Sequence, residues 1–306
     1  MPDTTAGFAE VLVATTWDCN LRCSYCFVQD HTFEGGSQRM TPQTAARVID
    51  ALDEGLDDCD SIGIHLYGGE PLTNLPAARA LLERSREKAP GRFRFMVTSN
   101  GAVDSDEAME LLGAGPFEVI LSIDGPPSVH DRCRRTAGGA PTHERVMDFL
   151  KKLRERTDCW VRGSAVVRHG WSLGEAQAYL RSLPVDVIKA QAVRVPDASP
   201  FALDAAERET YLDDLSAIGE QVIEELEQGR PPMDDRYSAR VLQLLKGGSR
   251  ERFCGAGESI FGIAPNGAVR PCLLVPESPG NDLGRVNDPP ETWREAGLNW
   301  RAGRGP

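Results

Sequence analysis

Short β-branched or aromatic runs alternate with stretches of helical spacing through the first two thirds of the chain. The strand-like runs fall at 10–16, 62–67, 93–98, 117–123, 160–167 and 185–193, and helical spacing fills 42–56, 75–89, 105–113, 143–156 and 173–183. A strand, a helix and a further strand in series build a parallel sheet through right-handed crossovers. Six strands with five helices between them predict an α/β fold, a partial (β/α)6 barrel rather than an eight-fold one. After residue 200 the pattern changes. Residues 204–228 read as one long amphipathic helix with Asp204 as N-cap, and a Gly-Arg-Pro-Pro break follows at 229–232. Residues 234–246 read as another helix. From residue 250 the chain is rich in Gly, Pro and Asn, with short strand-like pieces. The expected division is 1–200 for the barrel, 201–249 for connecting helices and 250–306 for a small appendage, with the first boundary within 195–203.

Charge narrows the partners. The 306 residues carry 34 Lys and Arg against 46 Asp and Glu, a net charge of −12. An acidic surface lacks the clustered cations that bind nucleic acid or an anionic membrane. No apolar run reaches the ~18 residues of a membrane span. The opening MPDTTAGFAE has neither a basic n-region nor an apolar h-region, so no signal peptide is expected there. The cytoplasm is the expected location. In that compartment the 8 Cys of the chain point to metal binding or catalysis rather than to disulfides.

Three of those cysteines, Cys19, Cys23 and Cys26, stand together in WDCNLRCSYCFV, directly after the first expected strand. Cysteines scattered at random would give this C-x3-C-x2-C pattern in roughly half a percent of such chains. A loop suits it better than a helix, which would strain Cys26 away from the other two. A buried apolar trio is one alternative. A zinc site is another, and would need a fourth donor, for which His31 is the nearby candidate. A closed 4Fe–4S cluster takes four cysteines. Three leave one iron open to a ligand. The segment resembles the cluster motif of the radical SAM superfamily, in which the open iron binds the amino and carboxylate groups of S-adenosylmethionine. The resemblance implies a 4Fe–4S cluster on Cys19, Cys23 and Cys26, with the ring of Tyr25 near the adenine. It also implies reductive cleavage to a 5′-deoxyadenosyl radical, the cofactor carrying the chemistry and the protein supplying position and shielding.

Other strand ends extend the likeness, since a (β/α) barrel places its site at the C-terminal edges of its strands. Strand two ends in Gly68-Gly69-Glu70-Pro71, similar to the family's GGEP motif that holds the methionine amino group. Adjacent glycines let backbone approach a ligand, and an ionised Glu suits an ammonium. Strand three ends in Thr98-Ser99-Asn100-Gly101, where Asn100 is a candidate beside a plain turn. Strand four ends in Ser122-Ile123-Asp124-Gly125-Pro126, followed by His130-Asp131-Arg132-Cys133-Arg134. This resembles the SIDGP…HDxxR stretch of the peptide- and sulfatase-maturing branch. By that resemblance Ser122 contacts the ribose and Arg134 the cofactor carboxylate, with Arg132 as a competitor and Asp124 carried with them as a cofactor-side candidate. Gly163 and Ser164 on strand five are weaker candidates for the adenosyl group. His65, inside strand two, reads as a packed or polar-bonded barrel residue.

In the appendage, Cys254 and Cys272 bracket FCGAGESIFGIAPNGAVRPC, with a Pro265-Asn266-Gly267 turn that would bring them together as a hairpin. This is similar to the opening of the SPASM and twitch domains, which carry auxiliary 4Fe–4S clusters. Two thiolates do not complete such a site, so one cluster is the expectation. A second iron–sulfur cluster on Cys254 and Cys272, completed by other ligands, is the alternative. Cys59, Cys133 and Cys159 read as structural. Leu273 stands where sulfatase-maturing relatives carry an Asp base, which disfavours formylglycine formation.

Together these features predict a radical SAM enzyme that abstracts a hydrogen from a ribosomally made peptide, leading to a crosslink or an epimer. The alternative is oxidation or epimerisation of a small-molecule sugar or aminocyclitol. Either needs a flavodoxin or ferredoxin-type electron donor. Cys19 lies too early for a fused leader-binding domain, so peptide recognition would involve a separate leader-peptide-binding protein.

Overall fold

A computed structural model describes residues 8–26, 28, 39–103, 105–245, 254–275 and 278–303. The six expected strands are present as β1 (Phe8–Thr16), β2 (Ser61–Gly68), β3 (Phe93–Ser99), β4 (Phe117–Ser122), β5 (Trp160–Val167) and β6 (Val187–Ala192). They pair in parallel in chain order from β1 to β6. Between them run α1 (Pro42–Gly55), α2 (Leu75–Lys88), α3 (Asp106–Ala114), α4 (Pro127–Cys133), α5 (His143–Arg156) and α6 (Leu173–Arg181). The sheet is open, as a partial barrel requires. The short helix α4 was not foreseen; its seven residues are too few for helical periodicity to register. The long helix is α7 (Ala205–Glu227), and Asp204 caps it in a box with Glu207. α8 (Asp235–Leu245) follows.

The two faces of the sheet differ. Val11, Val13, Ile62, Ile64, Leu66, Val97, Val119, Leu121, Val161 and Ala165 are fully buried. They form one core with the apolar faces of the helices, including Val48, Ile49, Leu81, Leu111, Phe149 and Leu180. The alternate residues face the inside of the arc and are only half-buried: Met96, Thr98, Glu118, Ile120, Ser122, Arg162, Ser164 and Lys189. The period-2 alternation of a strand separates a sealed face from an open, polar one.

The C-terminal region joins the same sheet. β7 (Ile260–Ile263) pairs in parallel with β1, and β8 (Ala268–Arg270) and β9 (Gly284–Arg285) continue it in antiparallel fashion. The expected turn is there, with Gly267 at φ 80° and its N–H bonded to Ala264 O. α9 (Pro290–Ala302) lays Trp293, 1% exposed, against Gly55 of α1, where a Cβ would lie 2.4 Å from the indole. Among the described residues no helix is long and apolar enough to cross a membrane.

Candidate functional site

The cysteine loop leaves the end of β1 and is fixed on two sides. On one side the pairing of β1 with β2 continues past both strands, Gly69 N donating to Thr16 O and Glu70 N to Asp18 O, each at 2.9 Å. Here the two glycines have a reason other than the one expected. A Cβ on Gly68 would stand 2.2 Å from Thr16 O, and one on Gly69 2.1 Å from Asp18 O. The close approach they permit is to the chain leading into Cys19. Gly68 also sits at φ 122°, a region that favours glycine. On the other side, Arg22 N donates to Arg135 O at 2.8 Å and Ser24 N to Cys133 O at 3.0 Å.

All three thiols are half-buried and face one another electrostatically. Burial raises the Cys19 thiol above its ordinary value, opposed by hydrogen bonds from Leu21 N and Asn100 Nδ2. Burial pushes Cys23 up to about 11, against the pull of Arg134. Metal binding at such thiols displaces protons. Thiolates around one zinc ion stand roughly 4 Å apart. Among the described residues the one set of three donors within 4.8 Å of each other is His169, Asp204 and Glu207, so the three thiols are spread more widely than a single ion needs. Three thiols, one short of the four that close a 4Fe–4S cluster, suit a cluster with one iron left open. His31 lies outside the described residues.

Glu70 is 1% exposed and ties the ends of β2 and β3 together. Its Oε1 accepts from Leu72 N and Ser99 Oγ, both at 3.1 Å, and its Oε2 from Asn100 N at 2.7 Å. Asn100 in turn donates through Nδ2 to Cys19 Sγ at 3.6 Å and to Asn20 Oδ1 at 2.8 Å. Burial outweighs these three bonds and brings the Glu70 carboxyl up to about 7. The folded carboxyl therefore holds its proton more tightly than the unfolded one, with its ordinary value of 4.5. Stability should fall as pH rises from about 4.5 through about 7, by up to about 1.4 kcal/mol per unit. Urea unfolding at pH 5 to 8 reads this slope, and Glu70→Gln should flatten it; an unchanged slope in the variant would contradict the assignment.

The ends of β4 and β5 build the opposite wall. Asp124 is fully buried, and its Oδ1 accepts from Arg134 Nε at 3.1 Å and Val166 N at 3.2 Å. Its Oδ2 accepts from the Tyr25 hydroxyl. Burial works to raise this carboxyl, but Arg134, Tyr25, His130 and Arg168 together hold it below its ordinary value. Burial likewise works against the Arg134 guanidinium, and Asp124, Tyr25 and Cys23 together more than offset it. Arg134 lies 5.5 Å from the Tyr25 ring centroid, whereas Arg132 is exposed. Burial, with Arg134 nearby, takes His130 down to about 4, and Asp124 N donates to its Nδ1 at 3.3 Å, so the ring is neutral at pH 7. Phe201 packs edge-on to Tyr25 with centroids 6.2 Å apart.

Ser122 is half-buried on the open face opposite Ser164. Gly163 is not on that face; a Cβ there would meet Leu180 of α6 at 3.2 Å. His65 is polar-bonded as expected, 2.7 Å from Thr98 Oγ1, with Glu10 at 3.7 Å. Cys272 is half-buried and sensed by Tyr67, which also senses Cys26; Cys254 is exposed. Leu273 is 5% exposed and packs on Leu12 and Ala14. The sequence reading missed Asn20, Arg168 and Trp171. The strand-edge rule could have found the second, since Arg168 directly follows β5. Trp171 Nε1 donates to Asp124 O at 2.8 Å from outside every motif.

Comparison with known proteins agrees with this arrangement. The sequence profile of the radical SAM superfamily matches residues 13–183, more than half of the chain. The cysteine-type anaerobic sulfatase-maturating enzyme of Clostridium novyi is 24% identical over 271 residues, 83% of this chain and 70% of that protein. The radical SAM cyclopropyl synthase TigE of Paramaledivibacter caminithermalis is 26% identical over 151 residues, 46% of this chain, and the match spans 31% of TigE. The GTP 3′,8-cyclase of Clostridium perfringens is 33% identical over 116 residues, 37% of this chain, and again about a third, 33%, of the relative is spanned. Among solved structures, anSMEcpe with bound AdoMet superposes at a TM-score of 0.77 with 18% identity, covering 95% of this chain and 82% of that one. SuiB of Streptococcus suis bound to its precursor peptide SuiA gives 0.64 with 15% identity, covering 94% and 65%. At these identities the structural likeness is one of fold.

Proposed function

The chain belongs to the radical SAM superfamily, and from that membership we propose that it is a peptide maturase, abstracting a hydrogen from a ribosomally made peptide to form a crosslink or an epimer. The observation that carries the reading is the loop of Cys19, Cys23 and Cys26, pinned between the glycine pair and α4. When bound, a 4Fe–4S cluster and S-adenosylmethionine supply the reductive cleavage that yields a 5′-deoxyadenosyl radical. The rest of the work belongs to side chains. Asn100 orients Cys19. Gly68 and Gly69 bring the loop onto the edge of β2, where Glu70 is the acceptor for the cofactor's amino group. Arg134, its Nε committed to Asp124, would hold the cofactor carboxylate through its terminal nitrogens. Ser122 serves the ribose, and Tyr25, braced by Asp124 and Phe201, the adenine. We read 1–200 as the radical-generating unit, 201–249 as connecting helices and 250–306 as a reduced SPASM/twitch-like region. Cys254 and Cys272 are its candidate auxiliary ligands, two thiols where four are needed. A flavodoxin or ferredoxin-type donor would deliver the electron, in the cytoplasm.

Support for a peptide comes from the sulfatase-maturating relative, which matches most of the chain, and from SuiB, whose structure holds a precursor peptide. A second reading, a small polyhydroxy or amino substrate, is favoured by the open face of the sheet, lined by Glu10, His65, Thr98, Arg162 and Lys189. Deuterium transfer separates the two. Anaerobic turnover with a uniformly deuterated precursor peptide should place deuterium in 5′-deoxyadenosine. Transfer from a deuterated aminocyclitol, and none from the peptide, would contradict the peptide reading.

A further inference from the structure

The wall behind Tyr25 carries more positive charge than its own residues neutralise. Arg168, immediately after β5, is 4% exposed. Its Nε donates to Cys133 Sγ at 3.1 Å and its Nη2 to Val129 O at 2.7 Å, which fixes it against α4. Its Nη1 is fully buried with no hydrogen-bond partner among the described residues. Its guanidinium carbon lies 5.9 Å from the Tyr25 ring centroid, so two arginines, Arg134 and Arg168, converge on one aromatic ring. The acid beside both is Asp124, already engaged by Arg134, Tyr25 and Val166. His130 contributes no charge, since its Nδ1 accepts the Asp124 N–H. Beside that ring two guanidiniums meet one carboxylate, and the arginine with the orphaned donor is Arg168.

A buried charge is retained at a cost unless an opposite charge meets it. The ring that Arg168 approaches belongs to the cysteine loop itself, Tyr25 standing between Cys23 and Cys26, and metal binding there assembles three thiolates. We propose that Arg168 is a positioning residue for the radical-generating centre: its charge is the counter-charge to an iron–sulfur cluster on Cys19, Cys23 and Cys26, and it favours the reduced cluster. This rests on the reading given above. Reduction adds negative charge, and net charge around the sulfurs is one of the levers that set such potentials. Arg168 also braces the loop mechanically, because the Cys133 it grips accepts Ser24 N through its carbonyl. The brace and the charge make different forecasts.

The test is a potentiometric titration, followed by electron paramagnetic resonance, of the reconstituted protein beside Arg168→Met and Arg168→Lys. With iron content retained, the midpoint of the S-adenosylmethionine-responsive cluster should move to more negative potential in Arg168→Met and stay near wild type in Arg168→Lys. An unmoved potential in Arg168→Met would overturn the proposal. Should that variant lose its iron, Arg168→Gln takes its place, since Gln keeps a donor for Val129 O. Loss of iron in Met, Gln and Lys variants alike would make Arg168 a brace only and overturn the charge role. A wild type that binds no reducible cluster would instead contradict the radical SAM reading itself.

Discussion

Asp124→Ala should cost the protein about 3–5 kcal/mol of stability, the loss typical of removing one partner from a buried ion pair. Asp124 is fully buried, and one carboxylate serves Arg134, Tyr25 and Val166 at once. Its loss strands the buried Arg134 guanidinium next to a second one on Arg168, and leaves the Tyr25 hydroxyl and Val166 N without their acceptor. Total stabilities of about 5–15 kcal/mol leave little room for such a loss. Equilibrium urea unfolding reads it directly. Asp124→Asn keeps the shape and one acceptor while removing the charge, and should cost less. A loss below about 1 kcal/mol in Asp124→Ala would mean that Arg134 is neutralised by something other than this carboxylate.

The barrel was legible because its signals are local and repeat. Every expected strand from β1 to β6 lies within two residues of its observed ends, and the Asp204 cap was readable from the sequence. The Cys19, Cys23 and Cys26 loop and the strand-end motifs were legible through the spacing of their residue types. Three things were not. The glycine pair was read as making room for a ligand, whereas its contacts are with Thr16 O and Asp18 O; the partner backbone is some fifty residues distant in sequence. Gly163 was a weaker candidate for the adenosyl group beside Ser164, but the pleat turns it toward Leu180. A one-residue change of parity in a strand exchanges the two faces, and composition does not fix parity in GSAVV. Nor does local pattern reveal that β7, from the appendage, lies beside β1, since strand pairing across 250 residues leaves no periodic trace. Arg168 is a related case: its partners come from two segments distant in sequence, Val129 and Cys133 from α4 and Tyr25 from the cysteine loop.

The central claim is that Cys19, Cys23 and Cys26 together equip this chain for reductive cleavage of S-adenosylmethionine, and Cys23→Ala bears on it most sharply. Cys23 is the middle one of the three candidate ligands and is acted on by the Arg134 charge, and two thiolates cannot hold a cluster that also keeps an iron open. The measurement is 5′-deoxyadenosine formed under anaerobic reduction by the reconstituted wild type and by Cys23→Ala, with bound iron quantified in both. The account predicts 5′-deoxyadenosine and methionine from the wild type, and loss of both product and cluster iron in the variant. A wild type that binds reduced cluster and S-adenosylmethionine yet releases no 5′-deoxyadenosine, or a variant that forms it undiminished, would contradict the claim.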